Sequence, residues 1–146
     1  MNKKVDFDTP AVQAYLGILQ SVIGRMAGNS AACKSWCVAL ASGLLAVSAD
    51  KGHPNYAWLA ALPLPIFFIL DAYYLALEKV FRSSYKSVVN KVSAGEALME
   101  DLFKIEPGAD AGTKWSDIRP AMRSFSVWPF YGLLLALVII ARIAVF

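Results

Sequence analysis

Helical periodicity dominates the first part of the chain. Between residues 10 and 28 the apolar side chains recur with the spacing of one face of an α-helix. This apolar face comprises Val12, Tyr15, Leu16, Leu19, Val22, Ile23 and Met26, and the opposite face carries Gln13, Gly17, Gln20, Ser21 and Gly24. Asp8 or Thr9 is suited to cap this amphipathic helix, with Pro10 in its first turn. Because Arg25 is its only charge, packing against another helix is favoured over binding to an anionic membrane surface.

Three later segments are apolar over lengths that suit a lipid bilayer, at residues 31–50, 55–77 and 125–146. Twenty helical residues at about 1.5 Å each span roughly the 30 Å hydrocarbon core of a membrane. The turn from Lys51 to Pro54 joins the first two segments as an antiparallel hairpin. The chain, residues 1–146, is therefore predicted to be a single all-α integral membrane domain with three transmembrane helices.

The stretch between the second and third spans, residues 78–124, is more polar. The helical spacing of the second span continues into it through Phe81, Tyr85, Val88 and Val92. Ser93 and Glu96 match a capping box, which predicts a second short helix over residues 94–104. A loop is predicted after that helix, at Pro107, Gly108 and Gly112. The stretch is interpreted as a helical cytoplasmic segment.

Composition and charge agree with this reading. Apolar residues make up 58% of the chain and charged residues 17%, against roughly 25% charged residues in soluble domains. Of the 14 basic residues, Lys51 and Arg142 alone fall on the side of the hairpin turn. The positive-inside rule then puts the amino terminus and residues 78–124 in the cytoplasm and the carboxyl terminus outside a bacterial inner (plasma) membrane. Aromatic residues predicted near the cytoplasmic interface are Trp36, Tyr73, Tyr74, Trp128 and Tyr131, and those near the outer interface are Tyr56 and Trp58.

No residues show the pattern of a catalytic or metal site. The single histidine, His53, has only Asp50 near it in sequence and lacks the partners of a catalytic triad. No His, Cys, Asp or Glu spacing matches a metal site. Cys33 and Cys37 share a helix face in a reducing compartment and are interpreted as small packing residues. The sequence predicts that the protein is not an enzyme and binds no cofactor or nucleic acid.

The strongest candidate for a functional residue is Asp71, inside the second span. An ionisable side chain in hydrocarbon costs roughly 2.5 to 3.5 kcal/mol, so it normally faces the protein interior, a partner or water. Lys34 in the first span lies at a similar predicted depth and is its expected partner. The pair is interpreted as an intramembrane ion pair that fixes helix register, in preference to a polar step in a conduction path.

Three further features concern packing and charge. Two prolines, Pro63 and Pro65, are expected to bend the second span rather than to gate it. A cytoplasmic charged cluster is predicted at Arg25, Glu78 and Arg82. Small residues form a stripe on the first span that would let a second helix approach closely, either the second span or another copy. The stripe consists of Ala32, Ser35, Ala39, Ser42 or Gly43, and Ala46.

These residues carry a resemblance. The run from Leu19 to Ser30, the run from Leu70 to Leu75 and the run from Phe130 to Leu134 are similar to those of a family of small uncharacterised bacterial multi-span membrane proteins. Further matching positions are Lys34, Trp36, Glu78, Phe81, Arg82 and Tyr85. More loosely, the hairpin of spans followed by a cytoplasmic helix resembles the two-helix SLATT membrane effectors of bacterial conflict systems. The third span departs from the SLATT arrangement.

Two classes of function follow from the sequence. The first is an oligomeric membrane effector or channel-like assembly in a defence or conflict system, built from copies that meet along the small-residue stripe. The alternative is a non-catalytic interaction or scaffold subunit that docks a cytoplasmic protein. The expected partners are the lipid bilayer, further copies of the chain and a cytoplasmic protein.

Overall fold

The structure, a computed structural model, describes residues 4–51, 54–102 and 114–145. Over these residues the chain is helical and contains no β-sheet, which confirms the predicted all-α class. Four α-helices run over Pro10–Lys51 (α1), Pro63–Ser93 (α2), Trp115–Met122 (α3) and Trp128–Val145 (α4), and shorter 3₁₀ helices cover Pro54–Ala61 and Met99–Asp101. His53 and the loop predicted at Pro107, Gly108 and Gly112 lie outside the described residues.

The first helix is longer than predicted. The amphipathic helix at residues 10–28 and the span at residues 31–50 are parts of one uninterrupted helix, α1, of 42 residues. The sequence between them, Gly28-Asn29-Ser30, contains weak helix formers but no proline, so every backbone hydrogen bond of a continuous helix remains available. The interpretation of these segments as two separate helices is therefore wrong.

Helices α1 and α2 form an antiparallel hairpin with two different cores. Where residues 10–28 of α1 face residues 78–93 of α2, the buried side chains are large, and we call this part of the hairpin the stalk. Its core contains Val12, Tyr15, Leu19, Val92 and Leu102, with Phe81, Tyr85 and Val88 packed against them. The predicted apolar faces of both stalk helices are thus confirmed.

In the remainder of the hairpin most of the buried residues of α1 and α2 are small, with Leu64 as the large member. Cys37 and Ala41 of α1 meet Ala72 and Ala76 of α2 in one buried cluster. Exposed apolar side chains surround this part, among them Trp36, Val47, Leu62, Ile66, Leu133 and Ile143. Two helical runs, Pro10–Asp50 and Ala57–Ser93, are long and apolar enough to cross a membrane, and Trp128–Ala144 is a shorter apolar helix.

Pro63 and Pro65 lie in the first turn of α2. Residues 54–61 form the 3₁₀ helix, Leu62 caps α2, and Pro63 occupies its first turn. The first four N–H groups of an α-helix have no partner within the helix, so Pro63 and Pro65 remove no hydrogen bond there. The α-helical part of the second span therefore starts at Pro63, later than the expected residue 55, and the bend predicted at the two prolines stays a prediction.

The end of α2 differs from the capping box that was predicted. Gly95 has a φ of 67°, its N–H donates to the carbonyl of Val92, and the Glu96 N–H donates to the carbonyl of Lys91. These two bonds define a Schellman motif, which ends a helix. No α-helix therefore starts at Ser93, and the described part of the predicted helix, residues 94–102, holds only the 3₁₀ turn Met99–Asp101.

Helices α3 and α4 pack back onto the hairpin. Ile118 and Ala121 of α3 and Tyr131 of α4 lie in the same buried cluster as Ala72 of α2. At the far end of α4, the Arg142 guanidinium carbon is 5.3 Å from the ring centroid of Trp58. A cation over an indole face is favourable, so Arg142 joins the end of α4 to the 3₁₀ helix that precedes α2.

The turn at Gly95 yields a testable prediction with a matched control. Gly95→Ala should destabilise the protein by about 1 kcal/mol because residues with a side chain are strained at positive φ. Gly17→Ala should instead stabilise it by roughly 0.5 to 1 kcal/mol because alanine is the better helix former, and an added Cβ at Gly17 meets no atom within 4 Å. Thermal unfolding in mild detergent, followed by circular dichroism, measures both. A higher melting temperature for Gly95→Ala would contradict the Schellman turn.

Candidate functional site

The candidate site is a buried polar cluster between α1 and α2. The Asp71 side chain is fully buried, and one of its carboxylate oxygens, Oδ2, lies 2.5 Å from Lys34 Nζ. The hydroxyl of Ser30 donates a hydrogen bond to the other carboxylate oxygen. Lys34 Nζ also donates to Ser30 Oγ over 3.3 Å. Asp71 therefore has a charged partner on one oxygen and a hydroxyl donor on the other.

Helical geometry explains why Ser30 and Lys34 act together. Residues four apart in an α-helix are neighbours on one face, so both side chains of α1 point at the same carboxylate. The sequence paired Lys34 with Asp71, and the structure brings these two together. Ser30 was missed, although its spacing from Lys34 was a usable signal.

Helix α4 closes the cluster from the side. The ring centroid of Phe130 is 5.9 Å from Lys34 Nζ, and the Tyr131 hydroxyl donates to the Phe67 carbonyl over 3.1 Å. Tyr131 also packs edge to face against Phe68, with ring centroids 5.5 Å apart. Tyr131 was expected near the membrane interface on aromatic grounds, but only 5% of it is exposed. Its phenol is directed into the helix bundle because the Phe67 carbonyl satisfies the hydroxyl there.

The small-residue stripe of α1 faces away from this cluster. Ala32, Ser35, Ala39, Gly43 and Ala46 are all exposed, whereas the buried face of the same segment carries Cys33, Cys37, Ala41 and Ser48. A Cβ added at Gly43 would meet no atom within 4 Å. The stripe thus plays no part in the contact between α1 and α2, and of the two partners predicted for it the second span is excluded.

The other predicted residues divide into two groups. Cys33 and Cys37 are buried free cysteines beside the ion pair, and Cys37 packs in the hairpin core. In the predicted charged cluster, the Arg82 Nε lies 2.7 Å from Glu78 Oε1, but Arg25 forms no ion pair with them among the described residues. Since the side chain of Arg82 is 59% exposed, this pair contributes only a few tenths of a kcal/mol.

The arrangement around Asp71 is suited to holding helices together. No group of three His, Cys, Asp or Glu side chains that could hold a metal ion occurs among the described residues. Both carboxylate oxygens are engaged by groups of α1, and the aromatic rings of α4 cover the lysine. The cluster therefore links three helices through one buried charge.

Comparison of the chain with protein-family models, with curated proteins and with solved structures gives no match.

Loss of one partner of the Lys34–Asp71 pair is predicted to destabilise the protein strongly, whereas replacement of both partners is not. Lys34→Met leaves Asp71 buried without its charged partner, so the free energy of unfolding should fall by about 3 kcal/mol or more. Replacing both partners, Lys34→Met with Asp71→Leu, should recover most of that loss because no charge then remains buried. Thermal unfolding in mild detergent and cellular abundance are the measurements.

Ser35→Ala serves as the matched control, because the Ser35 hydroxyl is exposed and bonds only the Ala31 carbonyl of its own helix. Its melting temperature should equal that of the unchanged protein. If Lys34→Met also melts at that temperature, Asp71 is not held in a buried pair.

Proposed function

We propose that this protein is a non-catalytic membrane subunit, which spans the bilayer with three helices and presents its stalk to a cytoplasmic protein. The observation that carries the proposal is the complete burial of Asp71 against Lys34 and Ser30. The negative charge of Asp71 is paired within the hairpin, so its carboxylate is not accessible to ions that cross the membrane. A structural unit fits this arrangement better than a conducting one.

The lengths of the helices support membrane insertion with an external stalk. At 1.5 Å per residue α1 is about 63 Å long, roughly twice the hydrocarbon thickness of a bilayer. Between Trp36 and Val47 its exposed side chains are apolar apart from Ser42, whereas the exposed face of the stalk carries Gln13, Gln20 and Arg25 beside the apolar Ile18. The apolar half therefore suits lipid, and the stalk suits water.

The side chains of the two cores support the same division of the hairpin into a half suited to lipid and a stalk suited to water. Between helices in lipid there is no hydrophobic driving force, so small residues that permit close approach stabilise the contact. In water, burial of large apolar side chains stabilises a helix pair. The change from Cys37, Ala41 and Ala72 in one core to Tyr15 and Leu19 in the other follows this change of solvent.

The distribution of basic residues gives the orientation that we propose. With Lys79, Lys86 and Lys91 on the stalk side and Arg142 at the opposite end of the bundle, the positive-inside rule puts the stalk in the cytoplasm. In a bacterium, the membrane is then the inner (plasma) membrane, and the carboxyl-terminal end of α4 is outside.

A partner of the stalk should be captured by crosslinking in living cells. A photoreactive amino acid at Gln20, exposed on the stalk, should yield an adduct with a cytoplasmic protein, because a docking subunit must present this surface. The same amino acid at Val47, which is 58% exposed in the apolar half, is the control and should give no adduct with a cytoplasmic protein. Failure of Gln20 and of the equally exposed Gln13 to give an adduct would refute the docking role.

The exposed stripe favours a second candidate function, an oligomeric membrane effector. A row of small side chains that stays exposed in the described part of the chain would let a second copy approach closely in lipid. Copies joined along α1 would then form the channel-like assembly that the sequence suggested.

Two substitutions on opposite faces of α1 test the effector. Ala39→Leu or Gly43→Leu should leave the hairpin folded because both positions are exposed, and should disperse an oligomer into stable monomers. Ala41→Leu, on the buried face, should instead cost roughly 1 to 3 kcal/mol of stability through overpacking. Oligomeric state in mild detergent, melting temperature and depolarisation of cells on overexpression are the measurements. If the unchanged protein is monomeric and never depolarises cells, the effector is excluded and the docking subunit remains.

A further inference from the structure

Helix α3 has one face that packs on the hairpin and one that is charged. Ile118 and Ala121 are buried against the hairpin, while Arg119 and Arg123 are exposed. The two arginines, one helical turn apart, line an open cleft of about 590 Å³ together with Ser116 and Pro120. Among the described residues neither arginine forms an ion pair, so both cations are available to a ligand.

Large aromatic side chains flank the two arginines. Trp115 is 63% exposed, Phe125 is 90% exposed and Trp128 is 60% exposed. Exposed tryptophans are typical of the boundary between lipid and water because the indole has one polar N–H on an apolar ring, and Phe125 adds exposed apolar surface beside them. The cations thus lie within a patch that is itself suited to insertion at that boundary.

The level of α3 along the hairpin agrees with this position. Helix α3 contacts α2, and its buried residues share one cluster with Ala72 and Ala76, which precede the start of the stalk at residue 78. Arginines at this level lie among lipid head groups, and their planar forked donors match the oxygens of a phosphate. Asp117 in α3 is half-buried and accepts a hydrogen bond from the Ser116 hydroxyl over 3.4 Å.

We propose that Arg119 and Arg123 bind the phosphate of an anionic phospholipid in the leaflet that faces the stalk. This inference rests on the membrane placement in the proposed function. The flanking aromatic residues favour a lipid over a soluble polyanion because they contact acyl chains while the arginines hold the head group. In the cytoplasmic leaflet, which is rich in acidic lipid, such a site would fix the depth of α3.

The test measures which lipid surrounds α3. The full chain with Trp36→Phe and Trp58→Phe retains Trp115 and Trp128, one on each side of the arginines, as fluorophores. It is reconstituted into phosphatidylcholine bilayers in which a fixed fraction of lipid is replaced by brominated phosphatidylglycerol or by brominated phosphatidylcholine. Bromine quenches tryptophan on contact, so the ratio of the two quenching curves gives the preference for the anionic lipid.

The expected result is stronger quenching by brominated phosphatidylglycerol. The double variant Arg119→Gln with Arg123→Gln should lose this preference, by about fivefold for each arginine removed. In the unchanged protein the preference should decline as salt is raised. Lys4→Gln with Lys86→Gln removes the same charge from exposed residues remote from α3 and should retain the preference. If the double variant does not fold, the lipid preference is measured in the single variant Arg123→Gln instead.

Two outcomes overturn the lipid site while leaving the membrane placement intact. They are equal quenching of the unchanged site by both lipids, and an undiminished preference in the folded arginine variants. Absence of quenching by either lipid would overturn both the site and the membrane placement, so the two failures are distinguishable.

Discussion

The buried carboxylate of Asp71 constrains every helix that packs around it. A charge without water or a partner is costly in an apolar interior, so α1 must present Lys34 and Ser30 at one level along α2. A slip of one helical turn would move Lys34 by about 5.4 Å and separate the charges. The register of the hairpin, and with it the alignment of the stalk, is therefore fixed at this point.

A buried ion pair of this kind selects one register of the two helices more than it adds to the stability of the hairpin. Two apolar side chains of similar volume are often as stable as a buried salt bridge, whereas removal of one partner is strongly destabilising. Helices that meet through Cys37, Ala41, Ala72 and Ala76 have smooth, similar surfaces at successive turns. The pair between Lys34 and Asp71 distinguishes the correct register from its neighbours, which small side chains cannot do.

One pair of helices thus combines two kinds of packing. In the stalk, large apolar residues face inward and polar residues face outward, while in the other half small residues face inward and large apolar residues face outward. Helix α1 runs through both without a break, so the stalk and the level of Lys34 belong to one helix. This continuity suits the proposed subunit that links a cytoplasmic partner to the bilayer, or an effector whose assembly responds to such a partner.

The sequence by itself determined the helical class, the amphipathic face from Val12 to Met26 and the pairing of Lys34 with Asp71. These depend on periodicity and on the cost of a lone charge, both of which are local or nearly so. The continuity of helix α1 through Ser30 was not predicted. The end of α2 at Gly95 was also misjudged, because the capping signals at Ser93 and Glu96 compete with a glycine that accepts positive φ. Only the tertiary structure decided that Tyr131 turns inward and that the small-residue stripe stays exposed. Both depend on which face of α1 meets α2 and α4, and the choice between two faces of small residues is made by the buried charge.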